Sequence, residues 1–165
     1  MSQPSKSPLF LGIFEGHYDP TVAIVRDGQL LAFAEEERFL RNKHAHGFYP
    51  YRALNYCLDV AGATIEDVEA VGINWNLPAF SDGTIRTFFE GMRRDYPVDA
   101  KTIGFQEMLL RKFDSASYQA FHEYHWRVAF GDRTFPRLMP FGHHYTHAFQ
   151  ACMQSSFDRS LCVTI

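Results

Sequence analysis

The hydrophobic residues in the first third of the chain come in short runs divided by polar turns. Leu9–Phe14 (L-F-L-G-I-F) is almost wholly apolar and too short for an ordinary helix, which predicts a buried strand. The polar stretch 15–21 (E-G-H-Y-D-P-T) breaks it, and residues 22–25 (V-A-I-V) begin a second strand. Asp27-Gly28 then stands between V-A-I-V-R and Q-L-L-A-F-A-E. That is the pattern of a tight hairpin turn whose two central residues both take positive φ. Three consecutive strands are predicted.

Beyond Pro50 the period lengthens. Leu54, Cys57, Leu58 and Ala61 recur at helical spacing and Gly62 supplies the C-terminal stop, so a helix with one buried face is predicted. Thr64 with Asp67 resembles a capping box opening a short helix, and residues 71–74 read as a strand. Residues 84–133 carry aromatic and charged positions at helical spacing and predict two or three helices. A short strand over 137–141, a helix over 145–154 and a strand over 161–165 complete the order. This succession describes an α/β fold whose mixed sheet combines hairpins with crossovers.

Composition narrows the classes. With 165 residues, 46% of them hydrophobic and 21% charged, the chain has the make-up of one folded domain rather than of a disordered segment. A formal charge of -3 leaves no basic footprint, so no nucleic-acid partner is expected. The polar stretch 1–8 reads as a disordered N-terminal tail, and the apolar run after it is too short for a secretory signal or a span. The expectation is a cytoplasmic protein with no membrane partner. Cys57, Cys152 and Cys162 lack C-x-x-C spacing and read as reduced thiols.

Three stretches carry candidate chemistry. In G-H-H-Y-T-H-A, His143 and His147 are four apart, so on a helix both imidazoles reach one metal ion while His144 points elsewhere. Two histidines do not close a metal site, and the alternative is a pair of helix-face or cap histidines. His122 and His125 mimic the spacing, but they sit among Tyr118, Phe121, Tyr124 and Trp126 and read as structural. In A-E-E-E-R-F-L-R-N-K-H the chain leaves the hairpin strand and enters a loop, and Glu35, Glu36 and Glu37 read as a solvated face. The cations differ from the acids, because a Lys or Arg at the mouth of a cleft is a ready anion or phosphate partner, and Lys43 is singled out as such a candidate. In the turn 15–21, Asp19 can orient a hydroxyl or a metal-bound water, and His17 can act as acid or base near neutral pH. The structural alternative is an Asx turn bent by Pro20.

Taken in chain order, G-H-Y-D-P-T-V-A-I-V-R-D-G, F-A-E-E-E-R-F-L-R-N-K-H, L-D-V-A-G-A-T-I-E-D-V-E-A-V and G-H-H-Y-T-H-A resemble the O-carbamoyltransferases of nodulation-factor and antibiotic biosynthesis. The resemblance implies the first part of a mixed sheet of the actin-like ATPase and sugar kinase type, over residues 9–165, similar to the tRNA threonylcarbamoyltransferase domain. It implies an ATP-dependent enzyme that moves a carbamoyl group from carbamoyl phosphate, through carbamoyl-adenylate, to a hydroxyl of a small natural product. It further implies a metal, iron, on His143 and His147 that contacts the nucleotide, Lys43 near the transferred group, and an Asp/His pair of the first turn near the acceptor hydroxyl. Some relatives place a histidine directly before the aspartate; here that position is Tyr18 and the histidine is His17.

The family continues past L-C-V-T-I with a further metal-ligating aspartate and a C-terminal adenylate-forming domain, neither of which lies within these 165 residues. The expectation is therefore a fragment or one chain of a split protein, inactive alone in adenylation, whose last strand 161–165 forms an exposed sheet edge. Its partner is then the remainder of the carbamoyltransferase, in the same or a separate chain, with room for a homodimer. Two further readings stand beside it: a truncated, non-catalytic partner that binds nucleotide or a second subunit, and a small metallohydrolase built on His143 and His147.

Overall fold

The computed structural model describes residues 7–15 and 18–163. The chain is α/β and divides into two compact units, one built from residues up to Ile73 with His125–Met139, the other from Asn74–Tyr124 with the chain from Pro140 onward.

The first unit holds a mixed five-stranded sheet. Strands β1 (Leu9–Phe14), β2 (Thr21–Arg26) and β3 (Gln29–Glu35) form an antiparallel meander. The Asp27-Gly28 turn has the positive φ values expected of it, 52° and 72°, and pairs Arg26 with Gln29. Strand β4 (Val68–Ile73) runs parallel to β1, and β5 (Arg137–Pro140) lies beyond it, giving the order β3-β2-β1-β4-β5. Alternate residues Leu9, Leu11 and Ile13 of β1 and Val22 and Ile24 of β2 are buried. Against β2 and β3 packs a helix, Tyr51–Val60, through Ala53, Leu54, Cys57 and Leu58, the face that the helical spacing predicted. Its stop comes one residue after Ala61, where Gly62 takes φ 55°. Thr64 N–H then donates to Asp67 Oδ2 at 2.8 Å, closing the expected cap on a single 3-10 turn, Ile65–Asp67.

Cys57 is fully buried, and its thiol points to the Val22 carbonyl oxygen at 3.6 Å. Burial raises the thiol to about 11 from an ordinary 9.0. Because the folded state holds the proton more tightly, this stabilisation is complete below pH 9 and is lost as pH rises towards 11 and above. Urea unfolding at pH 8 and pH 11 is the check: the stability gap between the unmodified protein and Cys57→Ala narrows by about 2 kcal/mol over that interval.

The second unit is helical. Helices Leu77–Ser81, Thr84–Asp95 and Ala100–Lys112 belong to it, as does the first part of Ser115–Phe130, and so does His143–Met153 near the end of the chain. Asp99 caps the third of these by accepting the Thr102 N–H at 2.7 Å.

Four expectations change. A short helix, Glu36–Leu40, stands where the charge run read as a loop, and its second acid is buried rather than solvated. The strand read at 71–74 begins earlier, at Val68, because its first residues alternate buried and exposed positions. Residues 161–163 form no strand; Leu161 and Val163 are 92% and 77% exposed, with no ladder partner to satisfy a strand's backbone. Thr164 and Ile165 lie outside the described residues, as do residues 1–6 of the expected tail. We number the helices α1 (Glu36–Leu40), α2 (Tyr51–Val60), α3 (Leu77–Ser81), α4 (Thr84–Asp95), α5 (Ala100–Lys112), α6 (Ser115–Phe130) and α7 (His143–Met153).

Candidate functional site

The three consecutive acids after β3 do three different things. Glu35 pairs with Arg38 at 2.8 Å on the surface. Glu36 is 2% exposed and turns inward: its Oε2 accepts the Ala53 N–H at 2.8 Å and its Oε1 the Arg52 N–H at 3.3 Å. Helix α2 has Pro50 at its N-cap, which offers no side-chain acceptor, so Glu36 caps the helix from α1 and sets a negative charge at its positive end. Glu37 accepts the His44 N–H on Oε2 at 2.8 Å and meets Arg38 at 3.4 Å. The acids thus bind α1 to α2 on one side and to the 3-10 turn Lys43–Ala45 on the other.

The first turn is joined to the same place. Asp19 N–H donates to the His44 carbonyl at 3.0 Å, Glu36 N–H to the Pro20 carbonyl at 2.8 Å, and Asp19 Oδ1 lies 2.9 Å from His44 Nδ1. Asp19, Arg41, His44 and Ala45 all take positive φ, between 38° and 65°. Non-glycine residues in this region are strained by about 1–3 kcal/mol each and persist where surrounding contacts hold them. The result is a cleft of about 770 Å³ lined by Asp19, Glu35, Glu37, Arg38, Arg41, Lys43 and His44. Its acids are already engaged by Arg38 and His44, whereas Arg41 and Lys43 form no ion pair among the described residues. Three acids and three cations balance in the cleft, and Arg41 and Lys43 are the cations left to meet an anion there.

Asp19, Glu37 and His44 also present ligand atoms within 4.8 Å of one another. These three are already engaged with each other or with a cation, Asp19 with His44 Nδ1 and Glu37 with Arg38.

In the second unit, His143 and His147 lie on the first turns of α7, with Nε2 atoms 3.2 Å apart and rings at 89°. Two imidazoles on one ion, each about 2.1 Å from it, stand about 3.0–3.4 Å apart, so the pair fits a chelate. His143 stacks on Trp75 at 5.7 Å, and its Nδ1 is 3.1 Å from the side-chain amide of Asn74. The Asn74 Oδ1 is buried without a partner among the described residues. Turning that amide over gives Oδ1 to an Nδ1–H of His143 and leaves Nε2 unprotonated for a ligand, the usual support of a metal-bound histidine. Burial, then the neighbouring His147 and His144, hold His143 below the ordinary imidazole range, against an opposing hydrogen bond from Asn74. Its lone pair is thus available at neutral pH. His144 sets its ring edge against His143, 5.8 Å between centroids.

Asp19 and Lys43, expected to work together, line one cleft. Tyr18 is 60% exposed and sets its ring edge against His44 and His46. His17 lies outside the described residues. His122 is fully buried against Tyr118 and Phe121, and His125 stacks on Tyr49 at 4.3 Å with Nδ1 2.5 Å from the Tyr51 hydroxyl, so both are packing residues. His44 was missed as a partner of Asp19. The signal was its place directly after Lys43 in the charged block, but a contact across 25 residues has no periodicity to announce it.

No family model matches the chain. It is 31% identical over 150 residues to the nodulation protein NolNO of Sinorhizobium fredii, which covers 90% of this chain and 19% of that protein. It is 30% identical over 166 residues to an uncharacterized protein, sll1178, of Synechocystis, covering 93% of this chain and 25% of the relative. A 47-residue stretch is 43% identical to an uncharacterized 19.2 kDa protein encoded in the syrM 5′ region of Rhizobium etli. The chain spans about a fifth to a quarter of the length of the first two relatives. Similarity to a nodulation protein along nine-tenths of the chain agrees with the family resemblance carried by the motif blocks.

Proposed function

We propose that this chain carries the transfer end of an ATP-dependent O-carbamoyltransferase, which moves a carbamoyl group from carbamoyl-adenylate to a hydroxyl of a small molecule. The observation that carries the reading is the cleft in which Lys43, Arg41 and the Asp19–His44 pair line one space. A carbamoyl-adenylate has an anionic phosphate as its leaving group and needs a base beside the acceptor, and this cleft offers unpaired cations next to a carboxylate–imidazole pair. Similarity to a nodulation protein supports the same reading. The strand order β3-β2-β1-β4-β5, an antiparallel meander followed by a parallel strand, supports the actin-like type of sheet.

Within this reading Lys43 holds the phosphate side of the donor and Arg41 adds charge at the same mouth. Asp19 orients the acceptor side, with Tyr18 beside it. His143 and His147 are the residues that would hold a divalent metal, most simply iron, with Asn74 behind His143. Such a metal supplies a Lewis acid for phosphate oxygens. The adenylate-forming part is proposed to lie in the remainder of the protein, on the same or a partner chain, and the setting to be cytoplasmic.

Cosubstrate dependence tests the reading. Carbamate product is expected only when carbamoyl phosphate and ATP are supplied together. Nucleotide binding without turnover marks a non-catalytic partner, and turnover with metal alone marks a hydrolase. For the metal pair, Asn74→Ala is expected to weaken iron(II) binding about 10- to 100-fold and His147→Ala to weaken it further. Metal content after equilibrium dialysis reads both effects, and unchanged binding in His147→Ala contradicts the assignment.

A further inference from the structure

His44 is fixed from three directions. Its Nδ1 is 2.9 Å from Asp19 Oδ1, its N–H donates to Glu37 Oε2 at 2.8 Å, and its carbonyl accepts the Asp19 N–H at 3.0 Å. A carboxylate accepts, so the hydrogen bond to Asp19 is donated by Nδ1–H, and in that tautomer Nε2 is the acceptor nitrogen. The side chain is 43% exposed and lines the cleft beside Lys43. His44 and Asp19 both hold left-handed backbone, at φ 65° and 52°. Strain of that kind concentrates where a side chain must be aimed.

We propose that His44 is the general base of the transfer step and that Asp19 is its positioning residue, so that the base comes from the Lys43–Ala45 turn rather than from the first turn of the chain. This inference rests on the carbamoyl-transfer reading of the cleft. The acceptor oxygen attacks the carbamoyl carbon, the bond from that carbon to the phosphate oxygen breaks, and AMP leaves with the bonding pair. The acceptor proton passes to His44 Nε2 and then to solvent, and nothing is oxidised or reduced. Asp19 meets the imidazole at Nδ1, and Glu37 holds the His44 backbone N–H. Arg38 on α1, with Arg41 and Lys43, lines the same cleft, and Tyr18 and His46 set their rings 6.2 Å and 5.5 Å from the imidazole.

Two measurements test the proposal. In the ¹⁵N-labelled protein, long-range ¹H–¹⁵N spectra report which ring nitrogen of His44 carries the proton. Nδ1–H is expected, with that preference lost in Asp19→Asn, a substitution that tolerates the positive φ. A proton on Nε2 with Asp19 intact overturns the pairing. In the full-length protein, with its adenylate-forming part, supplied with carbamoyl phosphate, ATP and glycerol as acceptor, His44→Gln is expected to slow carbamate formation about 10²- to 10⁴-fold. Added imidazole is expected to restore part of the rate in His44→Ala, which a merely structural role would not allow. Full transfer in His44→Gln, or no response of His44→Ala to imidazole, overturns the base role and leaves the proposed function standing. Absence of both carbamoyl-adenylate and carbamate in the unmodified protein overturns the function and the base role together.

Discussion

In the full-length protein, with its adenylate-forming part, Lys43→Ala is expected to lower carbamoyl transfer about 10²- to 10³-fold while carbamoyl-adenylate still accumulates. Lys43 lines the cleft, forms no ion pair among the described residues, and stands next to His44 on a turn held by Glu37 and Asp19. An ammonium lining the cleft can meet the charge that develops as the phosphate leaves, and removing one such group usually costs about 3–4 kcal/mol of transition-state stabilisation. Adenylate formation needs other groups, so quenched reactions analysed for carbamoyl-adenylate and for carbamate separate the two steps. Loss of both together in Lys43→Ala sinks its assigned role. Lys43→Arg keeps the charge but spreads it over a planar fork, and partial activity is expected of it.

The second large effect is on stability. Glu36→Ala leaves the N–H of Ala53, a residue with no exposed surface, without its acceptor, and strips the first turn of α2 of its only side-chain cap among the described residues. An orphaned buried donor costs about 1–3 kcal/mol, and the lost charge at the helix N-terminus adds about 0.5–1. A destabilisation of about 2–4 kcal/mol is expected by urea unfolding, because α2 covers β2 and β3 and cannot move away from them to find water. A surface exchange at Glu35, which only pairs with Arg38, is expected to stay within about 0.5 kcal/mol. Equal effects at the two positions contradict the buried-cap account.

The contrast between Glu35 and Glu36 shows what could be read from the chain and what could not. The Asp27-Gly28 hairpin and the buried face of α2 were legible because each is a local rule, a turn chemistry or a period, acting over a few residues. The charge run defeated such rules. Its three acids look alike in sequence, and only the tertiary placement of α2, whose N-cap is Pro50, calls one of them inward. The same is true of the cleft. Asp19 and Lys43 were marked as candidates by residue type and family resemblance, whereas the Asp19–His44 pairing depends on left-handed backbone at both residues, which residue type does not announce. For residues 161–163 the apolar pattern promised a strand, but a strand needs an edge to pair with, and hydrophobicity alone does not supply one.

The account turns on one claim, that the cleft of Asp19, Lys43 and His44 passes a carbamoyl group to a hydroxyl. It is tested most directly in the full-length protein, with its adenylate-forming part, by following carbonyl-¹³C carbamoyl phosphate in the presence of ATP, iron(II) and glycerol by ¹³C NMR. The predicted result is a growing carbamate-ester carbonyl signal from the unmodified protein that is absent from the Asp19→Asn, Lys43→Ala double variant. Label recovered only as bicarbonate, at the same rate from both proteins, would contradict the claim.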